Sequence, residues 1–218
     1  MVFGGFEEAG KVLDVVPKRD DVALASFDYP FHGHRRIQWP DTLFESLQLR
    51  DALHAVPEGI LGLRHALSEN IAIDPKKIGV IGASFGSPFA IEAAARDPEI
   101  RWVVIIHGFA DIRATLASRL NLPPLLAKLC AWALTEIFSL PEPTEWAPKL
   151  HPGQHVLVFA ARDDRFIPKR STEALRKALS KSKATVEWIE TPGGHVGPGS
   201  SSLIQSMLET AARKTIEG

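Results

Sequence analysis

The sequence predicts a three-layer α/β fold built on a mostly parallel sheet, with a short helical cap. Three observations point there. Short apolar runs rich in β-branched residues alternate with longer amphipathic stretches, the rhythm of strands joined by crossover helices. The middle runs, IGVIGA, WVVII and VLVFAA, are apolar at successive positions, as strands covered on both faces are. At 218 residues the chain is long enough for one sizeable core, so a single domain over residues 1–218 is expected.

Taken in order, a stub at Val2–Phe3 precedes a longer strand at Val22–Tyr29. Helical patterns follow over Thr42–Leu53 and Glu58–Ser68, then a strand at Ile78–Ala83 and a helix at Pro88–Ala95. Asp74-Pro75 and Asp97-Pro98 are turn signals ahead of the strands at Ile78–Ala83 and Trp102–His107. His155–Ala161 and Ala184–Ile189 complete the strands, with helices at Thr172–Leu179 and Ser202–Lys214. One stretch breaks the rhythm. Residues 112–150 are helical, apolar and proline-punctuated, with no strand pattern, and they lie between two core strands. They read as an insertion over the sheet, either an ordinary packing pair of helices or a cap over a pocket.

Composition excludes several function classes. Hydrophobic residues make up 45% and charged residues 23%, and the formal net charge is −1, so no field attracts nucleic acid or an anionic membrane. No segment approaches the ~18 continuous apolar residues of a spanning helix. Cys130 is the single cysteine and has no CxxC partner, which leaves neither a disulfide nor a cysteine-based zinc site. His32 and His34 form an H-x-H pair without an accompanying carboxylate cluster, so no metal is expected. Neither a P-loop nor a G-x-G-x-x-G follows a strand, and no cofactor is implied. A cytoplasmic location fits the cysteine usage and the absence of a cationic n-region in Met1–Lys11.

The chemistry starts at Gly82-Ala83-Ser84-Phe85-Gly86, which follows the strand IGVIGA and opens the helix SPFAIEAAA. Strand, sharp turn and helix are the setting of a G-x-S-x-G nucleophile elbow. Side chains at Gly82 or Gly86 would clash with the tight turn, and the strained serine is lifted clear of the sheet. A serine needs a base and an acid to orient that base. Of the eight histidines, His195 is best placed, in the loop TPGGH after the last strand. The acid candidates at a strand's carboxyl end are Asp163 and Asp164, in ARDDRFIP after HVLVFAA.

This order of serine, aspartate and histidine resembles the α/β-hydrolase family over nearly the whole chain. The stretch IDPKKIGVIGASFGSPFAIEAAARDPEIRWVV is similar to the elbow region of bacterial dienelactone-hydrolase-like and peptidase-like members. In the family's acid turn the aspartate lies four residues before the proline, which selects Asp164 over Asp163. Asp111 is the fallback, because some members carry the acid one strand earlier. The resemblance implies that Phe85 gives one oxyanion N–H. The other would come from the loop Val2-Phe3-Gly4-Gly5-Phe6, with Phe6 as donor and Gly5 as runner-up. His107-Gly108 lies in the wrong order for that role.

The implied activity is hydrolysis of carboxylic esters of short to medium acyl chains, with Ser84 as nucleophile, His195 as base and Asp164 as its partner. A cap bearing Trp132, Phe138 and Trp146 would make the pocket apolar. Thioesters and dienelactones stay open, although a dienelactone hydrolase often carries cysteine where Ser84 stands, and peptides fit a domain of this size less well. The alternative is a non-catalytic ligand-binding or scaffold protein of the same fold. The family carries further strands ahead of the oxyanion loop that this chain does not show, so Val22–Tyr29 would be a sheet edge. An open edge invites a homodimer.

Overall fold

A computed structural model describes residues 1–3, 13–14, 19–28, 42–196 and 200–217. Five strands form one sheet, β1 (Val2–Phe3), β2 (Gly79–Ala83), β3 (Trp102–Ile106), β4 (His155–Ala161) and β5 (Thr185–Thr191). They lie in the order β1-β2-β3-β4-β5 and every neighbouring pair is parallel. Seven α-helices accompany them among the described residues: α1 (Thr42–Ser68), α2 (Ser87–Arg96), α3 (Ile112–Arg119), α4 (Pro124–Phe138), α5 (Pro143–Trp146), α6 (Lys169–Leu179) and α7 (Ser201–Glu217).

Both faces of the central strands are covered, which explains their unbroken apolar runs. Val80, Val103, Ile105, Val156 and Val158 point to one face, against Val56 and Ile60 of α1, Phe89 of α2 and Leu175 of α6. Val104, Ile106, Leu157 and Phe159 point to the other, against Met207, Leu208 and Ala211 of α7. Helix, sheet and helix thus make three layers. The register aligns the carboxyl ends: Ala83 pairs Ile106, Ile106 pairs Phe159, and Ala161 pairs Thr191. The residues that follow these ends therefore share one rim of the sheet.

Two expected elements differ. Val22–Tyr29 is no strand over its described residues: Val22 makes one isolated antiparallel bridge to Arg19, and the chain to Asp28 is irregular. Leu24 packs against the α7 face and Phe27 against the α1 face, where its ring sits beside Gly59. The segment spends its apolar side chains on both clusters, and the two-residue β1 offers little backbone to pair with. Sheet edges among the described residues are β1 and β5, so the edge expected at Val22–Tyr29, on which the homodimer expectation rested, is not there.

Thr42–Leu53 and Glu58–Ser68 are one helix, continuous through Pro57. An interior proline costs about 3 kcal/mol. Leu53, Val56 and Ile60 are buried on both sides of it, and each contributes ~1.5–3 kcal/mol, which offsets the lost hydrogen bond. Trp102–His107 ends one residue early, at Ile106, because His107 turns into the left-handed region at φ 48°. No helix among the described residues is long and apolar enough to cross a membrane.

Candidate active site

Ser84 stands immediately after β2 with φ 48°, a backbone region that costs a residue bearing a Cβ on the order of 1–3 kcal/mol. The surroundings hold it there. A short 3-10 turn over Ser84–Gly86 leads into α2, and buried Ser87 donates its hydroxyl to the Ser84 carbonyl at 2.6 Å. A Cβ on Gly82 would lie 2.7 Å from the Ala90 Cβ and 2.8 Å from the Gly86 carbonyl oxygen. Strand and helix meet there too closely for any side chain. At Gly86 the backbone is ordinary right-handed helix, φ −73°.

Two loops bring the partners. After β5, Gly193 takes φ 84° and the chain turns so that His195 Nε2 lies 2.7 Å from Ser84 Oγ. Its Nδ1 lies 2.8 Å from Asp164 Oδ2. The other carboxylate oxygen, Oδ1, accepts the backbone N–H groups of Phe166 and Ile167, each at 2.8 Å. The loops are stitched together as well, since Arg162 N–H donates to the Thr191 carbonyl and Asp163 N–H to the Gly193 carbonyl. Side chains of His195 and Asp164 are 13% and 10% exposed.

Burial alone would push the Asp164 carboxyl up. The hydrogen bond and charge of His195, with the two backbone N–H donors, outweigh it and hold the group below its ordinary value. Asp164 is thus an anion set to keep the His195 proton on Nδ1 and the Nε2 lone pair toward Ser84.

The other acid candidates stand elsewhere. Asp163 is exposed, one residue out of register with the imidazole. Asp111, at φ 53°, caps α3 by accepting the Ala114 N–H at 3.1 Å. Phe85 follows Ser84 at the start of the elbow turn, its ring edge-on to Phe89 at 5.5 Å. Gly5 and Phe6 lie outside the described residues, as do His32 and His34.

Sequence reasoning missed two neighbours. Phe166 stacks on the His195 ring at 4.9 Å, and the Arg119 guanidinium of α3 lies over the Phe166 ring, 4.0 Å from its centroid. His107, 2% exposed, accepts the Val196 N–H at Nδ1 (2.9 Å), and its Nε2 lies 3.0 Å from Thr191 Oγ1. The available signal was a histidine and a glycine ending an apolar run, WVVIIHG.

The apolar side chains beside Ser84 also differ from expectation. Phe109, Ile112 and Ile167 form a small buried cluster, joined by Phe85, Leu116 and Leu140. Phe138 and Trp146 instead pack on the main core, and Trp132 is 52% exposed on α4. His107, Asp164 and His195 offer ligand atoms within 4.8 Å of one another, but the contacts above already engage those atoms. A cleft of about 630 Å³ lined by Asp21, Leu24, Ile78, Trp102 and Leu208 includes none of Ser84, Asp164 and His195.

Compared with known proteins, residues 41–195 match the model of the dienelactone hydrolase family. The chain belongs to that family. No curated protein sequence matches it. Among solved structures, the chain is similar to a puromycin-hydrolyzing peptidase of Mycobacterium tuberculosis, with TM-score 0.60 and 15% identity, over 80% of this chain and 27% of the other. It is similar to acetyl xylan esterase 1 of Thermoanaerobacterium sp. JW/SL YS485, with TM-score 0.52 and 18% identity, over 84% and 61%. A thermophilic esterase of Thermogutta terrifontis aligns with TM-score 0.54 and 17% identity, over 78% and 66%. This member of the dienelactone hydrolase family therefore has the α/β-hydrolase fold, and it spans about a quarter of the first of these proteins and three fifths of the second.

Proposed function

We propose that the chain is a serine hydrolase of carboxylic esters, with Ser84 as nucleophile, His195 as general base and acid, and Asp164 as the orienting anion. The observation that carries this is the continuous chain from Ser84 Oγ to His195 Nε2 at 2.7 Å and from His195 Nδ1 to Asp164 Oδ2 at 2.8 Å. Nucleophile and base are within hydrogen-bond reach, and the base is oriented by a third group.

In the first half of the reaction Ser84 Oγ forms a bond to the acyl carbon while its proton passes to His195 Nε2. Asp164 stabilises the imidazolium without taking the proton. The tetrahedral oxyanion is met by the Phe85 N–H, with Phe6 or Gly5 as second donor, and the N-terminal end of α2 favours the same charge. Collapse expels the alcohol, which leaves with the proton from His195. Water then gives its proton to His195 and attacks the acyl carbon, and the acid departs as Ser84 regains a proton.

Esters come before amides in this reading. Acetyl xylan esterase and the Thermogutta esterase, described as butyrate-bound, share the fold, and the expectation of a short to medium acyl chain goes with them. The helices over 112–150 act as a cap beside the site, and the protein works as a cytoplasmic enzyme without a cofactor.

The test is hydrolysis of p-nitrophenyl acetate, butyrate and octanoate by the purified chain beside Ser84→Ala. The expected result is a loss of at least ~10³-fold in kcat, with fluorophosphonate labelling of the wild type alone. Equal, feeble rates in both proteins and no labelling would overturn the reading in favour of a ligand-binding protein of the same fold.

A further inference from the structure

We infer that His107 is a positioning residue, a neutral imidazole that fixes the loop bearing His195 in register with the nucleophile elbow. The inference rests on the serine-hydrolase reading and deepens it. Nothing in the reaction above uses His107, yet it sits in a strained backbone conformation, φ 48°, with its ring buried. Such a residue persists only where its surroundings over-determine it.

Its hydrogen bonds run one way. Nδ1 accepts from the Val196 N–H, so it carries no proton, and the ring proton is on Nε2. Nε2–H then donates to Thr191 Oγ1 at 3.0 Å, and the Thr191 hydroxyl donates to the Ala160 carbonyl at 3.3 Å. The His107 backbone N–H donates to the Phe159 carbonyl at 2.8 Å. One residue thereby ties the ends of β3, β4 and β5 to the residue after His195. Asp163 N–H to the Gly193 carbonyl anchors the same loop before His195. The base is held on both sides, in a loop whose glycines would otherwise leave it free.

On the elbow side the next residue makes the connection. A Cβ on Gly108 would lie 2.9 Å from Ser87 Oγ and would also collide with Ile105. Ser87 in turn donates to the Ser84 carbonyl. The pair His107-Gly108 is therefore wedged between the nucleophile turn and the base loop, and its position sets the 2.7 Å separation across which the proton moves. Burial, with the nearby His195 adding to it against the opposing pull of Asp164, lowers the pKa of His107 to about 4. The Nδ1 acceptor therefore survives through neutral and mildly acidic solution.

Kinetics of His107→Phe and His107→Asn on p-nitrophenyl butyrate test the inference, with Ser84→Ala as control. Phenylalanine keeps the ring and removes both nitrogens. Asparagine keeps a carbonyl oxygen near Nδ1. His107→Phe is expected to lower kcat on the order of 10²-fold, the scale of a small misplacement of reacting groups, with KM little changed, and His107→Asn to recover most of the loss. In the nitrogen NMR spectrum of the wild type at pH 7, His107 Nδ1 is expected to be unprotonated. A folded His107→Phe with wild-type kcat overturns the positioning role alone, as does a protonated Nδ1. If His107→Phe does not fold, the nitrogen spectrum and His107→Asn decide: an unprotonated Nδ1 with an active asparagine variant supports the role, and an inactive, folded asparagine variant ends it. Turnover that survives Ser84→Ala overturns the hydrolase reading itself.

Discussion

The rim that carries Ser84 and the helices that follow β3 are neighbours in the fold, yet they are held differently. At the rim the functional side chains are nearly buried and fastened by hydrogen bonds between loops: Asp164 accepts two backbone N–H groups, and His107 holds Val196. Positive φ occurs in both regions, at Ser84 and His107 on the rim and at Asp111 and Ser139 beside the helices. The helices of 112–150 are held by polar contacts around Asp111–Thr115 and by Phe138, Trp146, Ala147 and Leu150, which pack on the main core. The Glu142 carboxylate accepts the N–H groups of Asp111 and Ile112, Thr115 donates to Ser171, and Arg113 pairs with Glu136. Away from these contacts α4 presents Leu125, Leu129 and Trp132 at 73%, 54% and 52% exposure. Hydrogen bonds fix the geometry of the rim atom by atom, whereas the helices rely on apolar packing on one side and leave the other to solvent.

The sharpest break of this contrast is Asp164→Asn. With a neutral amide beside Nδ1 the imidazole loses its orienting anion, and kcat on p-nitrophenyl butyrate should fall by about 10⁴-fold. Asp163→Asn, one residue away and exposed, should keep the wild-type kcat. Equal losses in the two variants would show that the carboxylate at the imidazole does not matter.

A smaller effect separates the regions by pH. Folding lowers the pKa of His107 from 6.5 to about 4, so the unfolded chain binds the extra proton between those values. Stability should therefore rise with pH from about 4 to 6.5 and be lost as pH falls through that window, by roughly 3 kcal/mol at most from this residue. The depressed Asp164 works in the same direction lower down, below its ordinary 3.8. Urea denaturation of wild type and His107→Asn at pH 4.5 and 7 measures the difference. A variant with the same acid loss as wild type would remove His107 from the account.

The smallest effect is expected on α4. Leu125→Gln should change stability by no more than about 0.5 kcal/mol and leave hydrolysis of p-nitrophenyl acetate unchanged. A large loss in either measurement would mean that this exposed face is packed in a way its exposure does not suggest.

Most of the sheet was legible because the central strands β2 to β4 are covered on both faces, and coverage of that kind writes itself as unbroken apolar runs. Ser84 was legible because a sharp turn between strand and helix excludes a side chain at Gly82, which leaves a local signature. What stayed hidden was non-local. Nothing within Val22–Asp28 shows that Leu24 and Phe27 serve opposite faces of the sheet, so alternation looked like a strand. The continuity of α1 through Pro57 depends on burial supplied by strands distant in sequence. His107 was visible as a residue and invisible as a role, since its partners, Thr191 and Val196, come from the far end of the chain.

The ring of Phe166 has a consequence for the orientation of the imidazole. It lies flat against one face of His195 and is itself roofed by Arg119. One face of the imidazole is thus covered, while Nε2, in the ring plane, stays directed at Ser84 Oγ at 2.7 Å. A ring clasped in this way cannot tip, so the direction in which Nε2 faces Ser84 is kept by an aromatic side chain as well as by the Asp164 carboxylate.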